Sequence, residues 1–236
     1  EMEIIKEIAE THNLYIVEDN AQGHGAKYND QITGSWGDAN ATSFYPTKNL
    51  GCLGDSGAVT TNSREVFNKV SSLRNYGSIV KYENEMVGHN MRMDEIQAAV
   101  LSIKLEYLKS WTVKRREIAK KYSELLQGIG DLILPMINKD STHVFHLYVI
   151  RTESRDKLND YLNSNGIGTS IHYPIPPHLQ KAYSYMNYKT GSFPIAEELS
   201  NTSLSIPIWP GLMDSEIEFI TSKIKFFAKL YRFYQK

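Results

Sequence analysis

Apolar residues recur along this chain at two periods, and the places where the period changes mark its elements. Ile4, Ile5 and Ile8 share one face of EMEIIKEIAETH, which predicts a helix ending near His12 and Asn13. Leu14 to Val17 reads as a short buried strand, ending in the polar run Glu18-Asp19-Asn20-Ala21-Gln22-Gly23. Acidic and amide groups at the carboxyl end of an α/β strand stand where ligands bind; a carboxylate there would equally serve as an N-cap. Lys27 to Ala39 is polar and glycine-bearing, so loop or hairpin. Two strand-like runs follow, Ala41 to Tyr45 and Ala58 to Thr61. Between them lie Pro46, Lys48 and three glycines at three-residue spacing, Gly51, Gly54 and Gly57. Proline and glycine make this a shaped turn rather than a helix.

Beyond the turn, Ser63 to Tyr76 reads as a helix capped by Ser63, with Val66, Val70 and Leu73 on one face. The loop Asn75 to Asn90 ends in VGHN just before a long helical pattern, a plausible N-terminal anion site. From Met91 to Gln127 there is neither proline nor glycine, and apolar residues keep helical spacing from Met93 to Leu125. Such a helix leaves one domain and enters another. After Gly128 and Gly130 the pattern becomes α+β: a strand over His143 to Arg151, a helix over Arg155 to Asn163, and a second strand in GIGTSIHY. A proline-fixed loop, PIPPHLQKAY, follows. The last helix is expected to carry a capping box of Ser215 and Glu218 and a buried stripe of Ile217, Ile220, Ile224, Phe227, Tyr231 and Tyr234. The organisation expected is therefore α/β, with a large domain over 1–110 and a small C-terminal α+β domain over 111–236.

Composition narrows the function classes. The 236 residues carry a net charge of −1, which gives no whole-molecule attraction to nucleic acid or membrane. No apolar run in these residues is long enough for a bilayer, and no signal peptide is expected from them. The single cysteine, Cys52, excludes an internal disulfide framework and fits a reducing cytoplasm, where it would act as a small apolar filler in the glycine turn. The basic run Lys109, Lys114, Arg115, Arg116, Lys120 and Lys121 reads as a solvated helix face, since no aromatic platform accompanies it. The chain opens without methionine and already inside a helix, and so reads as a fragment of something longer.

The residue types also rank the chemistries. His143 and His146 lie three apart on a predicted strand and would face opposite ways, and no Cys or Glu-x-x-His pattern supports His172 and His178, so no metal is expected. The glycines lie between strands with no helix directly after them, against a dinucleotide fingerprint, and no nucleophile elbow is present. A lysine on a rigid turn and an aspartate at a strand end remain. Taken alone, Lys48 on a hairpin is also compatible with a surface lysine. A desolvated lysine, however, forms a Schiff base with an aldehyde cofactor, and pyridoxal phosphate further needs an acidic partner for its ring nitrogen and donors for its phosphate. Asp19, Lys48, Ser43 and Asn90 supply those types.

At these residues the chain resembles a known family. YIVEDNAQGHGA, SFYPTKNLGCLGDSGAV and VGHNMRMDEIQAAVL, with GIGTSIHYPIPPHLQKAY and IPIWPGLMDSEI, are similar to the nucleotide-sugar aminotransferases of the DegT/DnrJ/EryC1/StrS group. The resemblance implies a fold-type I, pyridoxal phosphate-dependent transferase of the aspartate aminotransferase kind, cytoplasmic and homodimeric with shared active sites. Carried over by motif, Lys48 is the catalytic Schiff-base lysine, Asp19 holds the pyridinium, and Gln22 lies by the ring. Ser43 donates to the cofactor phosphate, and Asn90 reaches the phosphate of the partner subunit's cofactor. His172, Tyr173 and His178 line the sugar-nucleotide entrance; for His172 the competing reading is a histidine satisfied within its own loop. KNLGCLGD resembles the branch that aminates C3 of dTDP-linked 3-keto-6-deoxyhexoses, with L-glutamate as donor, in deoxyaminosugar biosynthesis for a lipopolysaccharide or S-layer glycan. The alternative is a truncated, non-catalytic homologue or interaction module that keeps the fold. The family's phosphate-binding helix N-terminus and ring-stacking aromatic, which precede this region, are not among these residues.

Overall fold

The structure, a computed structural model, describes residues 1–234, with side chains as far as Leu230. The expected burial of Tyr231 and Tyr234 therefore lies outside the described residues. Helix α1 (Met2–His12) stops at Asn13, whose φ of 52° is the left-handed turn that asparagine tolerates. Strand β1 is Val17–Asp19, later than the sequence reading placed it, and it is not buried: Val17 is 75% exposed. Ile16 explains the shift. Its N–H donates to Asp38 Oδ2 at 2.8 Å and its carbonyl accepts the Asp38 N–H at 2.9 Å, so the regular ladder begins one residue later.

Lys27 to Ala39 contains a small hairpin, β2 (Lys27–Tyr28) and β3 (Gln31–Ile32). Its two turn residues, Asn29 and Asp30, both have positive φ, 44° and 60°, as the tightest hairpin turn requires. Strands β4 (Ala39–Ser43) and β5 (Gly57–Thr60) flank the glycine turn. β4 is central in a three-stranded sheet ordered β1-β4-β5, parallel to β1 and antiparallel to β5. Helix α2 (Arg64–Leu73) starts on Ser63, whose hydroxyl accepts the Val66 N–H at 3.3 Å.

Helix α3 (Glu95–Leu126) runs for 32 residues. It does not begin directly after Asn90: Met91 to Asp94 intervene, and Asn90 bridges Asn75 at the end of α2. The expected anion site at that helix start is thus not formed by VGHN. The expected strand over 143–151 is broken in two, β6 (Ser141–Thr142) and β7 (Tyr148–Arg151). Between them Val144 and Phe145 turn into buried positions, Phe145 with φ 45°, a value no strand accommodates. α4 is Arg155–Ser164, and α5 (Pro194–Thr202), which the sequence reading passed over, begins with proline in its first turn. β8 (Ser203–Ile206) pairs antiparallel with β7, and Ser170 adds only an isolated bridge to Ser205 rather than a strand. The last helix, α6 (Asp214–Tyr234), is capped two residues earlier than expected: Glu216, not Glu218, reaches back to accept the Met213 N–H at 2.8 Å.

Two compact units result. One comprises Glu1–Val113 with Ile137–His146, the latter joining it because β6 pairs with β2; the other comprises Lys114–Met136 and the chain from Leu147. In the first, Leu50 and Cys52 of the glycine turn bury themselves against Leu101 of α3, with Phe44, Met93 and Leu108 packed around them. Burying a leucine-sized side chain contributes roughly 1.5–3 kcal/mol, so the turn is part of a core. In the second, Tyr122 of α3 lies against Tyr148 of β7 with ring centroids 5.1 Å apart and donates to the Pro207 carbonyl at 2.8 Å, and Leu126 and, on α6, Ile217, Ile220 and Ile224 are buried. Here the solvated-face reading of the basic run fails at Arg115. It is buried, donates from Nη1 to the Ile208 carbonyl at 3.1 Å, and is brought down to about 10 by burial. No described helix is long and apolar enough to cross a membrane.

Candidate active site

The lysine turn is held from several sides. Within it, the Lys48 N–H donates to the Tyr45 carbonyl at 2.9 Å, Cys52 N–H to Phe44 at 2.8 Å, and Phe44 N–H to Ser56 at 2.8 Å. Gly51 is required by close approach: a Cβ there would stand 2.4 Å from the Pro46 carbonyl oxygen and 2.8 Å from that of Tyr45. From α3, Gln97 Oε1 accepts the Leu53 N–H at 2.8 Å, and Lys104 Nζ donates to the Gly51 carbonyl. Asn49, buried, donates to the Val144 carbonyl at 3.0 Å. Lys48 itself is half-buried, so its neighbours are fixed while its side chain keeps an outlet.

The sheet sets the other residues against this turn. In the β1-β4 ladder Asp19 is the register partner of Ala41, and Ser43 lies one pleat further along β4. Register partners and residues two apart share a face, so Asp19, Ala41 and Ser43 project together. The two carboxylates at the end of β1 divide the readings left open by the sequence. Glu18 is structural, accepting the Gly34 and Trp36 N–H groups at 2.6 and 2.9 Å. Asp19 is exposed and, among the described residues, accepts only the Ala21 N–H, on Oδ1 at 2.9 Å. Gln22 is exposed in the following turn. Ser43 Oγ accepts the Tyr45 N–H at 3.3 Å. Asn90 is exposed, and its Oδ1 accepts from Arg92 Nε at 3.2 Å.

His24 is a site residue that the sequence reading did not single out, although it lies inside the quoted motif YIVEDNAQGHGA. Buried, and stacked on Phe44 with centroids 5.7 Å apart, it accepts the Leu50 N–H on Nδ1 at 3.1 Å and meets Thr42 Oγ1 from Nε2 at 2.9 Å. Burial, and then the positive charge of Lys48, push it below the ordinary histidine range. Only its partners, not its type or spacing, reveal this place.

The second unit holds the remaining candidates. His172 Nδ1 is 2.9 Å from Ser205 Oγ, and the exposed Tyr173 ring stands edge-on to it. His178 Nε2 is 3.0 Å from Glu197 Oε1 and edge-on to Phe193 at 4.8 Å. Glu197 also accepts the Gly191 N–H, and that bond, followed by the one from His178, holds its carboxyl below the usual range. His172 and Tyr173 thus sit together, while His178 belongs to a separate loop anchored on α5.

This architecture superposes on the Streptomyces venezuelae DesV structure in complex with a ketimine intermediate, with a TM-score of 0.93 and 43% identity over 97% of this chain and 62% of that one. The fold is accordingly that of the fold-type I transferases. The model of the DegT/DnrJ/EryC1/StrS aminotransferase family matches residues 1–225, and the chain belongs to that family. Among curated relatives, it is 48% identical to the dTDP-3-amino-3,6-dideoxy-alpha-D-galactopyranose transaminase of Aneurinibacillus thermoaerophilus, over 95% of this chain and 61% of the relative. It is 39% identical to a UDP-N-acetyl-3-dehydro-alpha-D-glucosamine 3-aminotransferase of Acidithiobacillus ferrooxidans, over 94% of this chain and 59% of the relative. The chain thus spans about three-fifths of the length of the curated relatives it matches.

Proposed function

We propose that these residues form the lysine-bearing part of a pyridoxal phosphate-dependent aminotransferase that moves an amino group from L-glutamate to C3 of a dTDP-linked 3-keto-6-deoxyhexose. The observation that carries the reading is the pinned Lys48 turn beside a sheet face on which Asp19 and Ser43 project together. The donor set fits the cofactor. Asp19 has one carboxylate oxygen engaged with Ala21, which leaves the other to accept from a pyridine N–H. Ser43 Oγ already accepts from Tyr45 and so keeps its proton to donate to a phosphate oxygen.

When bound, the cofactor supplies an electron sink for the carbon that loses or gains the amine. The chain's residues do the rest. Asp19 keeps the ring nitrogen protonated, and the Lys48 amine takes the proton from one carbon and returns it to another. Gln22 would lie by the ring of the bound cofactor. Asn90 serves the phosphate of a second copy in a cytoplasmic homodimer, and His172, Tyr173 and His178 face the sugar nucleotide. The C3 and dTDP assignment rests on KNLGCLGD and on the 48% identical relative; a UDP sugar is the competing substrate.

Exposed apolar side chains on β1 and just before it, Tyr15 and Val17, favour a second reading, in which the chain keeps the fold but does not catalyse by itself. One experiment separates the two. The protein is mixed with pyridoxal phosphate, reduced with borohydride and digested, and the peptides are weighed. A cofactor mass on the Lys48 peptide, followed by turnover with L-glutamate and a dTDP-3-keto sugar in preference to its UDP counterpart, is the expected result. A folded protein with no adduct overturns the catalytic reading.

A further inference from the structure

Against the glycine turn packs a buried histidine, His24 of the loop after β1, that the proposed chemistry does not use. The Leu50 N–H is buried and can only donate, so the atom it meets, His24 Nδ1, must carry a lone pair. The ring is therefore neutral with its proton on Nε2, and that proton is donated to Thr42 Oγ1 2.9 Å away. The Thr42 hydroxyl in turn donates to the Asn20 carbonyl at 3.3 Å. A one-directional relay thus runs from Leu50, two residues past Lys48, through His24 and Thr42 to Asn20, the residue after Asp19. Both ends adjoin a residue assigned to the cofactor.

We propose that His24 is a positioning residue that sets Lys48 against Asp19 by holding this relay in its neutral, Nε2-protonated form. The inference rests on the cofactor reading above only for what the alignment serves; the relay itself is a property of the fold. The groups that face the ring are few. Lys48 brings a positive charge from the turn, β4 brings the Thr42 hydroxyl, the Phe44 ring and the Ser43 carbonyl, and the last of these alone favours a protonated ring. Protonation would place an N–H against the Leu50 N–H and add a second cation beside Lys48. Acid should therefore open the turn at Leu50.

The test has two independent arms. Nitrogen NMR of the His24 ring should show a pyrrole-type Nε2 and a pyridine-type Nδ1 at neutral pH, and amide exchange at Leu50 should accelerate as the pH falls past the ordinary histidine value. The opposite tautomer, or an imidazolium at neutral pH, overturns the proposal whether or not any cofactor binds. In the second arm, His24→Phe keeps the ring volume but removes both hydrogen bonds. It should raise the pyridoxal phosphate concentration needed for half-maximal borohydride trapping by about tenfold, the size expected for losing roughly one net hydrogen bond. His24→Gln, which can accept from Leu50 and donate to Thr42, should restore trapping and abolish its acid limb. Should His24→Phe fail to fold, Thr42→Val cuts the relay at its next link and must show the same weakening. Wild-type-like trapping in a folded His24→Phe or Thr42→Val overturns the proposal. A wild type that never traps cofactor overturns the functional reading instead and leaves the NMR arm to decide His24.

Discussion

The glycine turn of the first unit and the proline loop of the second both carry expected site residues, yet they are built in opposite ways. From Asn49 to Cys52 the turn is buried, and backbone groups of Gly51 and Leu53 are bonded to side chains of α3. From residue 181 to residue 193 the segment after His178 is exposed throughout, and Glu197 of α5 ties it down by accepting the Gly191 and Phe193 N–H groups and meeting His178. Rigid supports suit chemistry that tolerates little displacement; adaptable loops suit recognition of a varied ligand. On the proposed roles, Lys48 is the residue that must be placed, and the exposed segment that follows His178 is the part free to accommodate.

The contrast can be broken by experiment, beginning with the largest effect. Lys48→Ala should abolish the borohydride-fixed adduct entirely while leaving the circular dichroism spectrum unchanged; a residual adduct elsewhere would remove Lys48 from its role. Gly51→Ala is expected to cost about 1–3 kcal/mol, since its Cβ meets backbone rather than a yielding side chain, and to weaken trapping as well. Denaturant midpoints would check the cost. On the other loop, Glu197→Gln should speed hydrogen exchange at Gly191 and raise KM for the sugar nucleotide, without altering trapping at Lys48. If trapping falls too, the loop is not merely adaptable.

Acid should produce a smaller, graded change. The folded-state value of His24 lies below its unfolded value, so the unfolded chain binds more protons between the two. Its contribution to stability is therefore present above the ordinary histidine value and is lost as the pH falls through the folded one. Urea midpoints of wild type and His24→Gln should agree above the ordinary histidine value and separate as the pH falls, with the wild type becoming the less stable. Tyr185→Ala, an exposed loop position, should shift stability by no more than about 0.5 kcal/mol, which thermal melting would show.

The two regions also differ in how far they could be read in advance. Around Lys48, proline and glycine act on their immediate neighbours, so the hairpin, its two strands and the cap at Ser63 were legible from adjacent residues. Elsewhere local pattern misled. Alternation extends β7 backwards through His143 because it cannot show a left-handed residue at Phe145, and it hides α5 because the short segment Pro194–Thr202 runs straight into β8 with no glycine or proline between them. Arg115 looked solvated in a basic run, but it lies on the buried side of α3, bonded to a carbonyl 93 residues away.

By itself, then, the sequence determined the hairpin, the identities of Asp19, Ser43 and Lys48, and the family their motifs belong to, because each depends on residues close together in the chain. Tertiary structure alone decided that Glu18 is structural and Asp19 open, and that α3 clamps the turn through Gln97 and Lys104. It alone closed His24 into the relay from Leu50 to Asn20. Those outcomes depend on which donor meets which acceptor once distant segments pack and water is excluded, and a buried polar group takes its role from that partner rather than from its place in the chain.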